Sequence, residues 1–188
     1  MVLAFLEAEI SSPRFSKWLL QILQTNGLTP DELIHKANLE DPQQNAIRRE
    51  ILQRLRGFGA DSYLFSGFPS EVQWQLVEIQ KSDHARLKFA NEANWVRLTA
   101  GSRMVTDLAE RVTRGEAPDD PAEHVRAVQK ALVDGLSLPP IVLVLGDDSE
   151  LILVEGHCRA TAYVGLKWVA GIRALLGSSP LMRRWLFF

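Results

Sequence analysis

The sequence predicts an α+β protein: a helical region over residues 1–62, followed over 63–188 by a mixed sheet with flanking helices. Three observations lead there. Apolar residues recur at helical spacing in the first third of the chain. Val72, Trp74 and Leu76 alternate with polar neighbours, the period of a half-buried strand. Two β-rich runs flank a Gly146-Asp147-Asp148 turn and read as a hairpin. At 188 residues with 46% hydrophobic and 23% charged side chains, the chain can bury a sizeable core, and disordered or collagen-like architectures drop out.

The elements follow in order. From Arg14 to Gln24, Trp18, Leu19, Ile22 and Leu23 share one helical face, and Asn26-Gly27 supplies a stop. Thr29-Pro30-Asp31-Glu32 is a capping-box pattern that opens a second helix. A third runs from Pro42 to Arg56, with Ile47, Ile51, Leu52 and Leu55 on one side and Arg48, Arg49 and Arg54 on a solvated opposite side. Helices joined by Asn-Gly also fit a DNA-binding helix-turn-helix. However, residues 1–62 carry seven basic against eight acidic side chains, and Asp31, Glu32, Glu40 and Asp41 would oppose phosphates.

Residues 57–70 hold Gly57, Gly59, Gly67 and Pro69 and mark the domain boundary. A strand over Val72–Ile79 is expected to pair with Leu87–Ala90. Ser102 caps a helix reaching about Arg114, an acidic linker spans Gly115 to Pro121, and another helix covers Ala122 to Val133. After the hairpin, the period changes at Glu155-Gly156-His157-Cys158-Arg159 into a short helix ending near Gly165.

Composition narrows function. The balance of 21 Lys plus Arg against 23 Asp plus Glu, net −2, argues against coating DNA by bulk charge, although Arg159, Lys167, Arg173, Arg183 and Arg184 make the chain basic after Glu155. A single cysteine excludes a disulfide framework and a Cys-rich zinc site and suits the cytoplasm. Met1 to Phe5 lacks a secretory pattern, and no run is long enough to span a bilayer. The terminal Arg183-Arg184-Trp185-Leu186-Phe187-Phe188 suits docking on a partner or an anionic membrane surface, or folding back on its own core.

The strand-to-helix junction is the candidate site. A helix start offers unpaired N–H groups and a positive dipole end, together worth about 1 to 2 kcal/mol to an anion. Gly156 admits close approach because it has no Cβ. Arg159 offers a planar fork for phosphate, His157 can move a proton near neutral pH, and Glu155 can hold a metal or activate water. Thr99-Ala100-Gly101-Ser102-Arg103 repeats the glycine-before-helix pattern and reads either as an ordinary serine cap with a solvated arginine or as a second anion candidate with Arg103 as its contact.

The segment LILVEGHCRATAYVGL resembles the ParB/sulfiredoxin superfamily, in which a strand ends in a Gly-containing polar motif with an Arg and enters a helix. ParB proteins read Gly-Glu-Arg-Arg there, sulfiredoxins Gly-Cys-His-Arg, and free-serine kinases Asp-Gly-His-His-Arg, which is nearest to Glu155–Arg159. Aligned on Arg159, the sulfiredoxin cysteine falls on His157, so a sulfinic-acid reductase is not expected.

The resemblance implies a ParB/Srx fold over about Val72 to Leu176 that binds ATP and Mg²⁺. Glu155, His157 and Arg159 would be catalytic, Gly156, His157, Arg159, Thr161 and Arg103 would contact the nucleotide, and Glu155 would contact the metal. The chain is also similar to plasmid fertility inhibition factors of the oncogenic-suppression kind. That similarity implies ATPase and DNase activity against the DNA substrate of a type IV secretion system, at its coupling protein on the inner membrane. A small-molecule kinase and a non-enzymatic blocker of the coupling protein are the alternatives. There is no Walker A loop or recognised nuclease metal motif.

Overall fold

The computed structural model describes residues 1–12, 15–57, 64–168 and 170–188. They form two compact units, Met1–Phe68 with Arg184–Leu186, and Pro69–Arg183 with Phe187–Phe188. Arg14 and the 62/63 boundary expected from sequence lie outside the described residues.

The first unit contains α1 (Val2–Ile10), α2 (Ser16–Thr25) and α3 (Pro42–Arg56), with a single π turn over Asp31–His35. The α3 helix has the bounds its sequence predicts. The Asp41 carboxylate accepts from the amides of Gln43 (2.8 Å) and Gln44 (3.2 Å), Pro42 opens the helix, and Gly57 closes it at φ 67°. The Thr29–Glu32 capping box also forms: the Thr29 amide and hydroxyl donate to Glu32, and the Glu32 amide donates back to Thr29 Oγ1.

Two expectations for this unit are corrected. The second helix is only the π turn, because Lys36 leaves helical geometry five residues in. Arg48, expected on a solvated face, is 1% exposed. Its guanidinium donates to the carbonyls of Leu33 (3.1 Å) and Asn38 (2.8 Å) and to Gln44 and Asn45 side chains, so it staples the turn to α3. Only Arg49 and Arg54 of the three arginines stay exposed, which removes much of the basic face that a helix-turn-helix reading needs.

The second unit is built on a five-stranded sheet in the order β1-β5-β3-β4-β2, where β1 is Gln73–Ile79, β2 Leu87–Phe89, β3 Ile141–Leu145, β4 Leu151–Glu155 and β5 Ile172–Ser178. The expected hairpin is β3–β4, antiparallel. β2 does not pair with β1: it runs parallel to β4 at the opposite edge, Leu87 beside Leu151 and Phe89 beside Leu153. The intervening 3₁₀ turn over Lys81–Arg86 carries the chain away from β1, and β1 pairs with β5, a strand not assigned from sequence, from Gln73↔Ser178 to Ile79↔Ile172.

Helices α4 (Ala93–Leu98), α5 (Val105–Arg114), α6 (Asp119–Val133) and α7 (His157–Gly165) complete the unit. Val105, Leu108 and Val112 of α5, Val125 and Leu132 of α6, and Ala160 and Tyr163 of α7 bury one sheet face formed by Leu87, Phe89, Ile141, Leu143, Leu151, Leu153 and Ala174. The α6 helix begins inside the expected linker, because Asp119 and Asp120 suit a first turn and Pro121 needs no N–H there.

The terminal segment folds back. Trp185 and Phe187 are 2% and 4% exposed, and Asn91 donates its amide to the Phe187 carbonyl at 2.8 Å. Those two rings are not presented at the surface; of the bulky tail, Leu186 is the exposed side chain. Among the described residues, no helix is long and apolar enough to cross a membrane.

Candidate anion-binding site at a strand-to-helix junction

The β4 strand is buried along Leu151–Val154 and delivers Glu155 at its carboxyl end, beside the end of the parallel strand β2. Sites outside the carboxyl ends of parallel strands are where open α/β sheets admit ligands. The chain turns at Gly156 with φ 92° and ψ 25°. A Cβ there would lie 2.7 Å from Ile141 Cγ2 and 3.2 Å from an Arg159 terminal nitrogen. Backbone conformation and packing therefore both demand glycine. The α7 helix begins at His157 with Gly156, which has no side chain, as its N-cap residue, so its positive end lies at the junction.

The imidazole of His157 lies flat on the Trp95 indole, with centroids 4.6 Å apart and planes 1° from parallel. Phe89 stacks on Trp95 at 4.7 Å and stands 5.8 Å from His157. Rings on opposite faces of Trp95 would be separated by two contact thicknesses, about 7 Å. Phe89 and His157 therefore share one face of Trp95, side by side. Phe89 is fully buried and α4 carries Trp95, so the stack fixes the imidazole plane at the start of α7.

Arg159 does not present its fork to the junction's open side. One terminal nitrogen donates to the carbonyls of Pro139 (2.8 Å) and Pro140 (3.4 Å), and the other pairs with Glu155. The side chains are 10% and 17% exposed. This latch ties the segment before β3 to the end of β4 through α7. Arg159 is thus placed as a positioning residue for Glu155 and the backbone, not as a free phosphate contact.

Thr161 is fully buried and its hydroxyl donates to the His157 carbonyl at 2.9 Å. Cys158 packs against the core.

Arg103 sits in the loop that pairs with β2 and adopts φ 62°. Its Nε donates to the Phe89 carbonyl at 3.0 Å and a terminal nitrogen reaches the Phe188 carbonyl at 3.5 Å. The other terminal nitrogen is buried with no hydrogen-bond partner among the described residues. Burial pushes the guanidinium pKa down, against the Glu150 carboxylate.

The expected serine cap is shifted. Here α5 starts at Val105, and Ser102 accepts from the Met104 amide (3.1 Å) while donating to the Asp107 carboxylate. The structure brings Glu155, Gly156, His157 and Arg159 together; Arg103 bonds to Phe89, which stacks with Trp95 and His157.

Magnesium is held through one or two carboxylates plus substrate phosphates. Glu155 is the single carboxylate at the junction, already ion-paired, and among the described residues no three His, Cys, Asp or Glu side chains converge. Among the described residues, the junction offers a metal this one carboxylate, which would hold it only together with substrate phosphates. Trp95 was not singled out from sequence; a tryptophan two residues into a helix just past a strand end gives no local sign that a histidine sixty residues later will stack on it. No protein-family model, curated protein or solved structure matches the chain.

Proposed function

We propose that the second unit binds nucleotide phosphates at the start of α7 and that the chain acts as a fertility inhibition factor. In this reading it uses ATP to degrade or block the DNA substrate of a type IV secretion system at its coupling protein. The observation that carries the nucleotide part is Gly156: an obligatory glycine at the N-cap of a helix, beside the ends of two parallel strands. ATP and DNA both present phosphates to such a group. The ParB/Srx resemblance of Glu155–Arg159 supplies the rest.

In this site His157, held flat by Trp95, is the group that can donate or accept a proton. Glu155, oriented by Arg159, is the acceptor that can align a water. The backbone around Gly156 receives the anion.

The test is ATP turnover and DNA cleavage by the purified full chain with Mg²⁺. Replacing His157 by Asn should lower both by about 10² or more while leaving the fold intact. Wild-type protein with no nucleotide binding and no turnover overturns the reading. A binding-only reading draws on the engaged Arg159 and the buried Thr161, which leave few side chains for catalysis; it expects inhibition of conjugative transfer to survive His157→Asn. A kinase would instead phosphorylate an added hydroxyl compound.

A further inference from the structure

At the far end of α7, roughly 12 Å from the junction by helical rise, lies an open cleft of about 490 Å³. It is lined by the 3₁₀ turn Lys81–Arg86, by α5 and by the last turn of α7 with Lys167. Its volume falls in the range of small-ligand pockets.

Three independent observations bear on what it holds. His84, which lines it, is 7% exposed, and its Nε2 is buried with no hydrogen-bond partner among the described residues. With that atom closed even to water, the ring lines the wall and offers an occupant no hydrogen bond through Nε2.

The second observation is charge. Lys81 and Lys167 stand exposed at the rim and enter no ion pair among the described residues, while Glu110 is paired with Arg114 at 3.0 Å. Nor are the lysines consumed in capping the helix ends that meet here. The Val164 and Tyr163 carbonyls accept from the Lys167 and Trp168 amides, and the Val112 and Arg111 carbonyls from Gly115 and Glu116. The uncompensated charge is positive. Burial, outweighing the Asp83 carboxylate, also holds the His84 imidazole below its ordinary pKa, so it is neutral at pH 7.

The third observation is the wall: Ala85, Ala109 and Val164 give the cleft an apolar body.

We infer that this cleft binds a small organic oxyanion, a carboxylate or phosphate monoester. Its head lies between Lys81 and Lys167, its apolar body rests against Ala109 and Val164, and His84 forms part of the wall. The site is separate from the Gly156 junction and does not depend on the nucleotide reading.

The test follows the His84 ring resonances by NMR in the full chain, during titration with phenyl phosphate, benzoate and inorganic phosphate. Saturable His84 shifts with phenyl phosphate or benzoate, at lower concentration than with inorganic phosphate, are expected. The responding compound assigns the head group. The double variant Lys81→Ser, Lys167→Ser, whose changes are on the surface, should weaken that binding at least tenfold with an unchanged circular dichroism spectrum. Absence of a saturable His84 shift with either organic anion, unchanged affinity in the double variant, or inorganic phosphate binding as tightly as phenyl phosphate would overturn the assignment.

Discussion

Gly156 and Gly101 both precede a helix, both have positive φ, and both introduce an arginine within three residues. Their surroundings differ. At Gly156 the space a Cβ would need is filled by Ile141, whereas at Gly101 nothing lies within 4 Å. The helix after Gly156 has no acidic residue in its first turn, while the one after Gly101 carries Asp107 there, bonded to Ser102.

Arg159 is satisfied by two carbonyls and a carboxylate, but Arg103 leaves one nitrogen unmet. The same local pattern therefore serves two purposes. The 155–159 junction latches the strands around it. The 99–107 segment places a carboxylate in the first turn of its helix and ties it to the preceding serine.

The largest effect should come from the latch. Arg159→Leu strands Glu155 and two carbonyls in a poorly hydrated place and should cost about 3 to 5 kcal/mol in urea unfolding. A loss below about 1 kcal/mol would mean that the latch is dispensable. Next, Gly156→Ala combines left-handed strain with a steric conflict and should cost about 3 kcal/mol, against about 1 kcal/mol for Gly101→Ala, which meets strain alone. Equal costs would erase the distinction between the two sites.

The smallest effect is at Asp107. Its replacement by Ala should cost about 1 kcal/mol in stability. It should also make the melting temperature rise with added sulfate more steeply than in wild type, since the helix start then lacks its own anion. An unchanged sulfate response would show that Asp107 does not fill that position.

Much of this contrast was legible only in part. The β3–β4 hairpin, the α3 bounds and the Glu155–Arg159 junction are local patterns, written within a few residues of one another, and they appear where the sequence places them. What escaped is set by partners distant in sequence. Arg48 looks like any surface arginine until the Leu33 and Asn38 carbonyls turn toward it. Arg159 looks like a phosphate fork until Pro139 and Pro140 occupy it.

The α1 helix went unassigned because Val2–Ile10 is apolar nearly all round and offers no amphipathic stripe. β5 does show an alternation, Ile172, Ala174 and Leu176 toward the core, and a period-two scan of the last twenty residues would have found it. The choice of β4 rather than β1 as partner for β2 has no local signature at all, because strand propensity says nothing about neighbours.

The pairing of β1 with β5 also sets a timetable for synthesis. Gln73 lies opposite Ser178, about a hundred residues later in the chain. A ribosome emitting the protein at 5–20 residues per second exposes β1 for roughly 5 to 20 seconds before its partner strand emerges. Throughout that interval Trp74, Leu76 and Val77 lack their β5 neighbours. The nascent chain must carry an unclosed, largely apolar strand through most of its own translation, which makes β1 the segment where chaperone binding or misassembly would begin.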